Sequence, residues 1–127
     1  MGVEMNIALW IVAVVLAVAF GMAGLMKLTQ PRAKLAESMG WVNDFSPGAV
    51  KTIGALEVLG AVGLLLPAVV NVAPVLVPVA ATGLAIVMLG AMVVHARRGE
   101  YPMIAINAVL FVLAAFVAWG RFGPYAF

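Results

Sequence analysis

The sequence predicts an all-α integral membrane protein, a four-transmembrane-helix bundle with short loops and one longer first loop. Three observations predict it. Of 127 residues, 66% are hydrophobic and 9% charged, with a mean hydropathy of +1.20. Soluble domains run roughly 45–50% apolar and about 25% charged, so the surplus apolar surface must face lipid. The charges are segregated, leaving long uncharged runs between them, and prolines punctuate the longest run. Disorder, a multidomain enzyme and a secreted disulfide scaffold are thereby excluded. The length fits one domain over residues 1–127. Cysteine is absent, which removes thiol–disulfide exchange, iron–sulfur clusters and thiolate metal sites. A net charge of +2 reads as a topology signal in such a chain, with the lipid bilayer and not nucleic acid as partner.

The first helix is expected near residues 6–27, because Met5 to Met26 carries no charge between Glu4 and Lys27. Ala17-Val18-Ala19 has the small-residue pattern of a signal-peptide cleavage site. However, the n-region has Glu4 and no Lys or Arg, and the apolar run is too long, so a retained span is expected. Pro31 to Pro47 forms the longer loop. Leu35, Met39 and Trp41 with Arg32, Lys34 and Glu37 between them read either as a short amphipathic helix at the headgroups or as a solvated connector. Ser46-Pro47 then reads as an N-cap followed by proline at the first helical position. Between Lys51 and Arg97 the only charge is Glu57. A single helix over that run would be about 68 Å long, more than twice the hydrocarbon thickness. It must therefore be two helices, near 48–67 and 74–96, divided by Pro67, Asn71 and Pro74. The fourth is expected near 103–120, before Arg121.

The basic residues Lys27, Arg32, Lys34 and Lys51 border the first loop, and Arg97 and Arg98 the third. These two loops share one side of an even-numbered bundle. The positive-inside rule makes loops 28–47 and 97–102 cytoplasmic, with both termini outside. Trp10 and Trp119 mark one interface, Trp41 and Tyr101 the other.

Against this background the polar residues inside the spans are informative. Glu57 is forced into the bilayer, about 15 Å down the second helix. A carboxylate there costs at least ~2.5–3.5 kcal/mol, so it must be protonated, paired or beside a wet cavity. Gly54, Glu57 and Ala61 share a stripe, with Gly60 beside it, that permits close helix approach. Lys27, at the end of a small-residue face of Ala13, Ala17, Gly21 and Gly24, is the natural counter-ion. His95 and Asn107 fall in the same half of the bundle. The expected cluster is thus Glu57, Lys27, His95 and Asn107. The plainer readings are a snorkelling anchor for Lys27, an interhelical hydrogen bond for Asn107 and an idle interfacial residue for His95. The eight methionines read as packing filler, and Thr82 as bonded to the backbone.

One histidine cannot give bis-histidine haem ligation. HExxH, GxGxxG, P-loop and GxSxG motifs are absent. No complete catalytic constellation is visible, so the isolated chain is not expected to be an enzyme, nor to hold a metal.

Gly24-Leu25-Met26-Lys27-Leu28 resembles the GxxKL signature of the DoxX-like membrane proteins. The segment Gly54 to Leu64, a glutamate set among glycines, resembles their second-helix pattern. His95, Arg97, Gly99, Glu100 and Asn107 resemble its later part. The resemblance implies a small four-helix bundle in a bacterial inner membrane. It implies an accessory or anchor subunit of a membrane redox system, with a partner subunit or a homo-oligomer, and a quinone- or lipid-sized ligand in the bundle. A small proton-coupled transporter using Glu57 and a purely structural bundle are the alternatives.

Overall fold

The computed structural model describes residues 2–127 and is helical nearly throughout, with no strand among the described residues. The elements are α1 (Gly2–Thr29), a single-turn α2 (Arg32–Leu35), a 3-10 helix (Gly40–Asp44), α3 (Pro47–Val69), α4 (Leu76–Arg98) and α5 (Tyr101–Phe122). Four of them are long and apolar enough to cross a membrane. Their outward residues are apolar: Leu59 is 67% exposed and Val109 60%. Such surfaces are stable only against lipid.

α1, α3 and α5 run a few residues past their expected bounds, while α4 is shifted two residues along the chain; prolines account for the end of α3 and the start of α5. Pro67 lies inside α3 rather than ending it. In the last turn its missing N–H costs one ladder bond, and the chain closes with Val72 N–H donating to Pro67 O. Pro78 and Pro102 fall in the first turns of α4 and α5, where N–H groups have no intrahelical partner anyway. α3 starts as expected, with Ser46 Oγ accepting from Ala49 N–H at 3.1 Å. Thr82 Oγ1 donates to Pro78 O at 2.8 Å.

The bundle is two pairs. α1 packs along α3 and α4 along α5; α3 joins the pairs through α4, and α1 meets α5 least. The pairs converge at the end carrying the 70–75 turn and the termini, here the turn end. A Cβ added at Gly60 would lie 2.6 Å from Leu84 Cδ2, one at Gly63 2.8 Å from Ala80 Cβ, and one at Gly120 2.7 Å from Leu9. A core of Leu16, Phe20, Leu64, Leu84, Met88 and Val117 fills the space between them. Toward the other end, where the two basic loops lie, a cavity opens between the helices while α1 and α3 stay in close contact. Gly24 and Gly54 face each other so closely that a Cβ on Gly24 would lie 2.6 Å from Gly54 O and 2.8 Å from Val58 Cγ2.

The loop before α3 contains one short helical turn, with Leu35 buried and Arg32 and Lys34 exposed, and a 3-10 turn. It folds against the loop end. Leu35 and Val42 are fully buried with Val50, and Met39, Trp41 and Phe45 pack beside them. Only one turn of α-helix forms, and the chain re-enters helix as a 3-10 turn at Gly40–Asp44.

The glycine contact gives a direct test. Gly24→Ala should lower stability by ~1–3 kcal/mol, since backbone on α3 must move. Gly83→Ala, whose Cβ would meet nothing within 4 Å, should leave it unchanged or raise it by up to ~1 kcal/mol. Thermal unfolding in detergent reads both; equal effects would remove the close contact from the argument.

Candidate functional site

Where the pairs diverge, the loop end encloses a cavity of about 460 Å³. Pockets for small ligands run roughly 300–1,000 Å³. Apolar side chains make most of the wall, among them Phe20 on α1, Ile53 on α3, Met88 on α4 and Leu110 on α5. Ala19, Gly90 and Ile106 belong to the wall and also face outward, so it is broken toward the surrounding lipid. Met39, Trp41 and Phe45 close the mouth from the first loop.

Lys27, Glu57, His95 and Asn107 all reach this one cavity, one from each long helix, and all four are buried. Lys27 Nζ donates to Glu57 Oε1 at 2.6 Å. The pair exists because Gly54 stands one turn before Glu57 and admits Lys27 Cβ, which would lie 2.8 Å from any Cβ there. Trp41 stands beside the ammonium, its ring centre 5.7 Å from Nζ. Trp41, expected at the interface on this side, is half-buried and lines the cavity mouth.

Gly99 sits in the left-handed region at φ 72° and ends α4, so that the chain doubles back and Glu100 N–H donates to His95 O at 2.9 Å. That turn brings the Glu100 carboxylate to His95 Nδ1, at 2.9 Å, and to Arg98 Nε, at 3.0 Å. The hydrogen bond from His95 and the charge of Arg98 hold Glu100 below the usual carboxylate range, against a smaller opposing effect of partial desolvation. An ionised carboxylate only accepts, so Nδ1 is the donor in this contact. Asn107 makes no hydrogen bond among the described residues, and its Nδ2 is buried without a partner. A group of this kind normally finds one, in protein, water or ligand.

The residues read as topology determinants divide into two kinds. Lys34 and Arg97 are exposed. Arg32 Nη1 donates to Phe45 O at 2.6 Å, and Arg98 Nη1 to Asp44 Oδ2 at 2.5 Å, so these two tie the first loop over the cavity. At the turn end Arg121, expected just beyond the fourth span, is buried in the last turn of α5. It donates to Asn6 Oδ1 at 2.8 Å and Tyr125 O at 2.9 Å and lies 4.0 Å from the Phe127 ring centre. Asn6 near Trp10 and the aromatic C-terminus were the available signals for it.

The family model for the DoxX-like family matches residues 11–117, and the chain belongs to that family as an integral membrane protein. No curated protein and no solved structure is found to match it.

The ion pair predicts non-additive energetics. Lys27→Ala or Glu57→Ala alone should destabilise by ~3–5 kcal/mol, because each strands a buried charge. Lys27→Met combined with Glu57→Leu should recover most of that loss. Thermal unfolding of the four proteins in detergent checks it, and additive losses would mean that the two side chains do not act as a pair.

Proposed function

We propose that this DoxX-like chain is a membrane accessory or anchor subunit of a redox system and holds a quinone- or lipid-sized amphiphile in the cavity at its loop end. The observation that carries this reading is the cavity itself. Its walls are apolar, its wall is broken toward lipid, and one polar side chain from each long helix converges on it. This combination suits a molecule with an apolar tail and a compact polar head. Burying a polar amide with no partner costs stability, so Asn107 makes sense beside a ligand that supplies one.

The redox setting rests on the family resemblance and on composition. With no cysteine and one histidine, the chain offers no thiolate and no second imidazole for a redox centre. Electrons would come from a partner subunit, and this chain would supply the bilayer site. The basic loops set that end of the bundle toward the cytoplasm.

The direct Lys27 contact favours this reading over a proton-coupled transporter, where the carboxyl must exchange its proton freely in each cycle. The cavity favours it over a purely structural bundle, since a bundle that served only its own packing would fill that space.

Purified from membranes in mild detergent, the protein should carry a quinone or lipid at near-stoichiometric amount in native mass spectrometry. Asn107→Leu should cut retention by about tenfold with the bundle still folded, because one polar contact to the head is lost. Equal retention by wild type and variant would remove Asn107 from the site. An empty wild-type protein that also binds no added quinone or lipid would remove the ligand reading itself.

A further inference from the structure

Resting on the binding reading above, we infer that the ligand's head carries a hydroxyl, held by donation from Asn107 and by acceptance at His95 Nε2. In redox terms, the cavity is built for the reduced, phenolic form of a quinone-like molecule, or for a sterol-like alcohol. A carbonyl-only head is held through one contact fewer, and a carboxylate or cationic head does not suit it.

The argument is one of matching donors and acceptors. Glu100 orients the histidine: its carboxylate accepts from Nδ1–H at 2.9 Å, and an imidazole that carries a single proton then has none on Nε2. Nε2 is then a bare acceptor, and no protein group bonds it among the described residues, while the ring lines the cavity. Asn107 Nδ2 is a donor without a partner, 93% buried with its residue and on the same cavity wall. A quinone carbonyl can satisfy only the donor. An ether does no better. A hydroxyl satisfies both groups, because it accepts through its lone pairs and donates its one proton.

Charge narrows the class further. Lys27 and Glu57 cancel each other at 2.6 Å. Arg98, Asp44 and Glu100 lie outside the lining, so the carboxylate and ammonium that line the cavity are already paired with each other. A charged head would enter an apolar wall with nothing to balance it, at a cost that a neutral hydroxyl avoids. The space of about 460 Å³ takes one ring and the first part of a tail, and the broken wall at Ala19 and Ile106 lets the rest of the tail lie in lipid.

Matched pairs of probes test this with the full chain in lipid nanodiscs and weakly alkaline buffer. One pair is a long-chain alkylphenol and its methyl ether. The other is a sterol and its methyl ether. Wild type should bind at least one hydroxyl compound about tenfold or more tightly than its ether, by quenching of Trp41 fluorescence against a Trp41→Phe control. Which pair discriminates tells the phenol from the alcohol. His95→Leu should erase the discrimination, while Asn107→Leu should weaken hydroxyl and ether binding alike and leave part of it. Where His95→Leu fails to fold, Glu100→Leu, which releases the tautomer, should still reduce the discrimination. Equal binding of hydroxyl and ether by wild type overturns the inference and leaves the binding reading intact. Discrimination that survives in both His95→Leu and Glu100→Leu overturns the role of Nε2. If none of the four probes binds but a quinone or phospholipid does, the hydroxyl head is wrong. If nothing binds at all, the binding reading falls with it.

Discussion

Everything at the loop end depends on how closely α1 and α3 lie at Gly24 and Gly54. With side chains there, Lys27 would be displaced from α3, and Glu57, one turn further along, would face the cavity as an unpaired carboxylate. The two glycines therefore do more than tighten a helix pair. They allow a charge to be buried in the bilayer by delivering its counter-ion to within 2.6 Å. A buried pair of this kind adds little stability over an apolar pair of the same shape. Its persistence in an otherwise apolar bundle is better explained by what the cavity needs than by folding.

The opposite end shows how the same residue type can close space instead. Gly60, Gly63 and Gly120 draw the two helix pairs together near the turn and the termini. The pairs then diverge toward the basic loops, and the opening is the cavity. It is not left open to water. The first loop buries Leu35 and Val42 against α3, and two arginine contacts, Arg32 to Phe45 O and Arg98 to Asp44, hold Met39, Trp41 and Phe45 across the mouth. Arg98 is shared: it also bonds Glu100, which bonds His95. The mouth and the polar wall of the cavity are thus tied through one guanidinium.

The four helices and the four polar residues of the cavity were readable because lipid is an unforgiving solvent. A carboxylate at the depth of Glu57 has few permitted explanations, and Lys27, His95 and Asn107 stood out by the same logic. The first loop was not readable. Met39, Trp41 and Phe45 have the composition of a headgroup-facing stretch whether they face lipid or protein, and only the tertiary contacts of Leu35 and Val42 decide which. The burial of Arg121 was not readable for a related reason. An arginine at the end of a span resembles an anchor, and nothing local reveals that Asn6, far away in sequence, will accept its hydrogen bond. Pro67 and Pro102 shifted helix ends because a proline in a terminal turn breaks no bond, or only one.

These features bear together on what the cavity favours. In a membrane, apolar volume alone selects nothing, since every lipid tail fits it equally well. Selection has to come from polar atoms that lipid tails leave unsatisfied. Here those atoms are few: a donor on Asn107 with no partner, and an imidazole whose other nitrogen is already committed to Glu100. Lys27 and Glu57 are matched to each other, so they set the field of the site without reaching for a ligand. On the proposed reading, what remains for selection is the hydrogen-bond pattern of the neutral groups. Such a site would separate molecules that differ by a single hydroxyl proton better than molecules that differ in tail length or bulk.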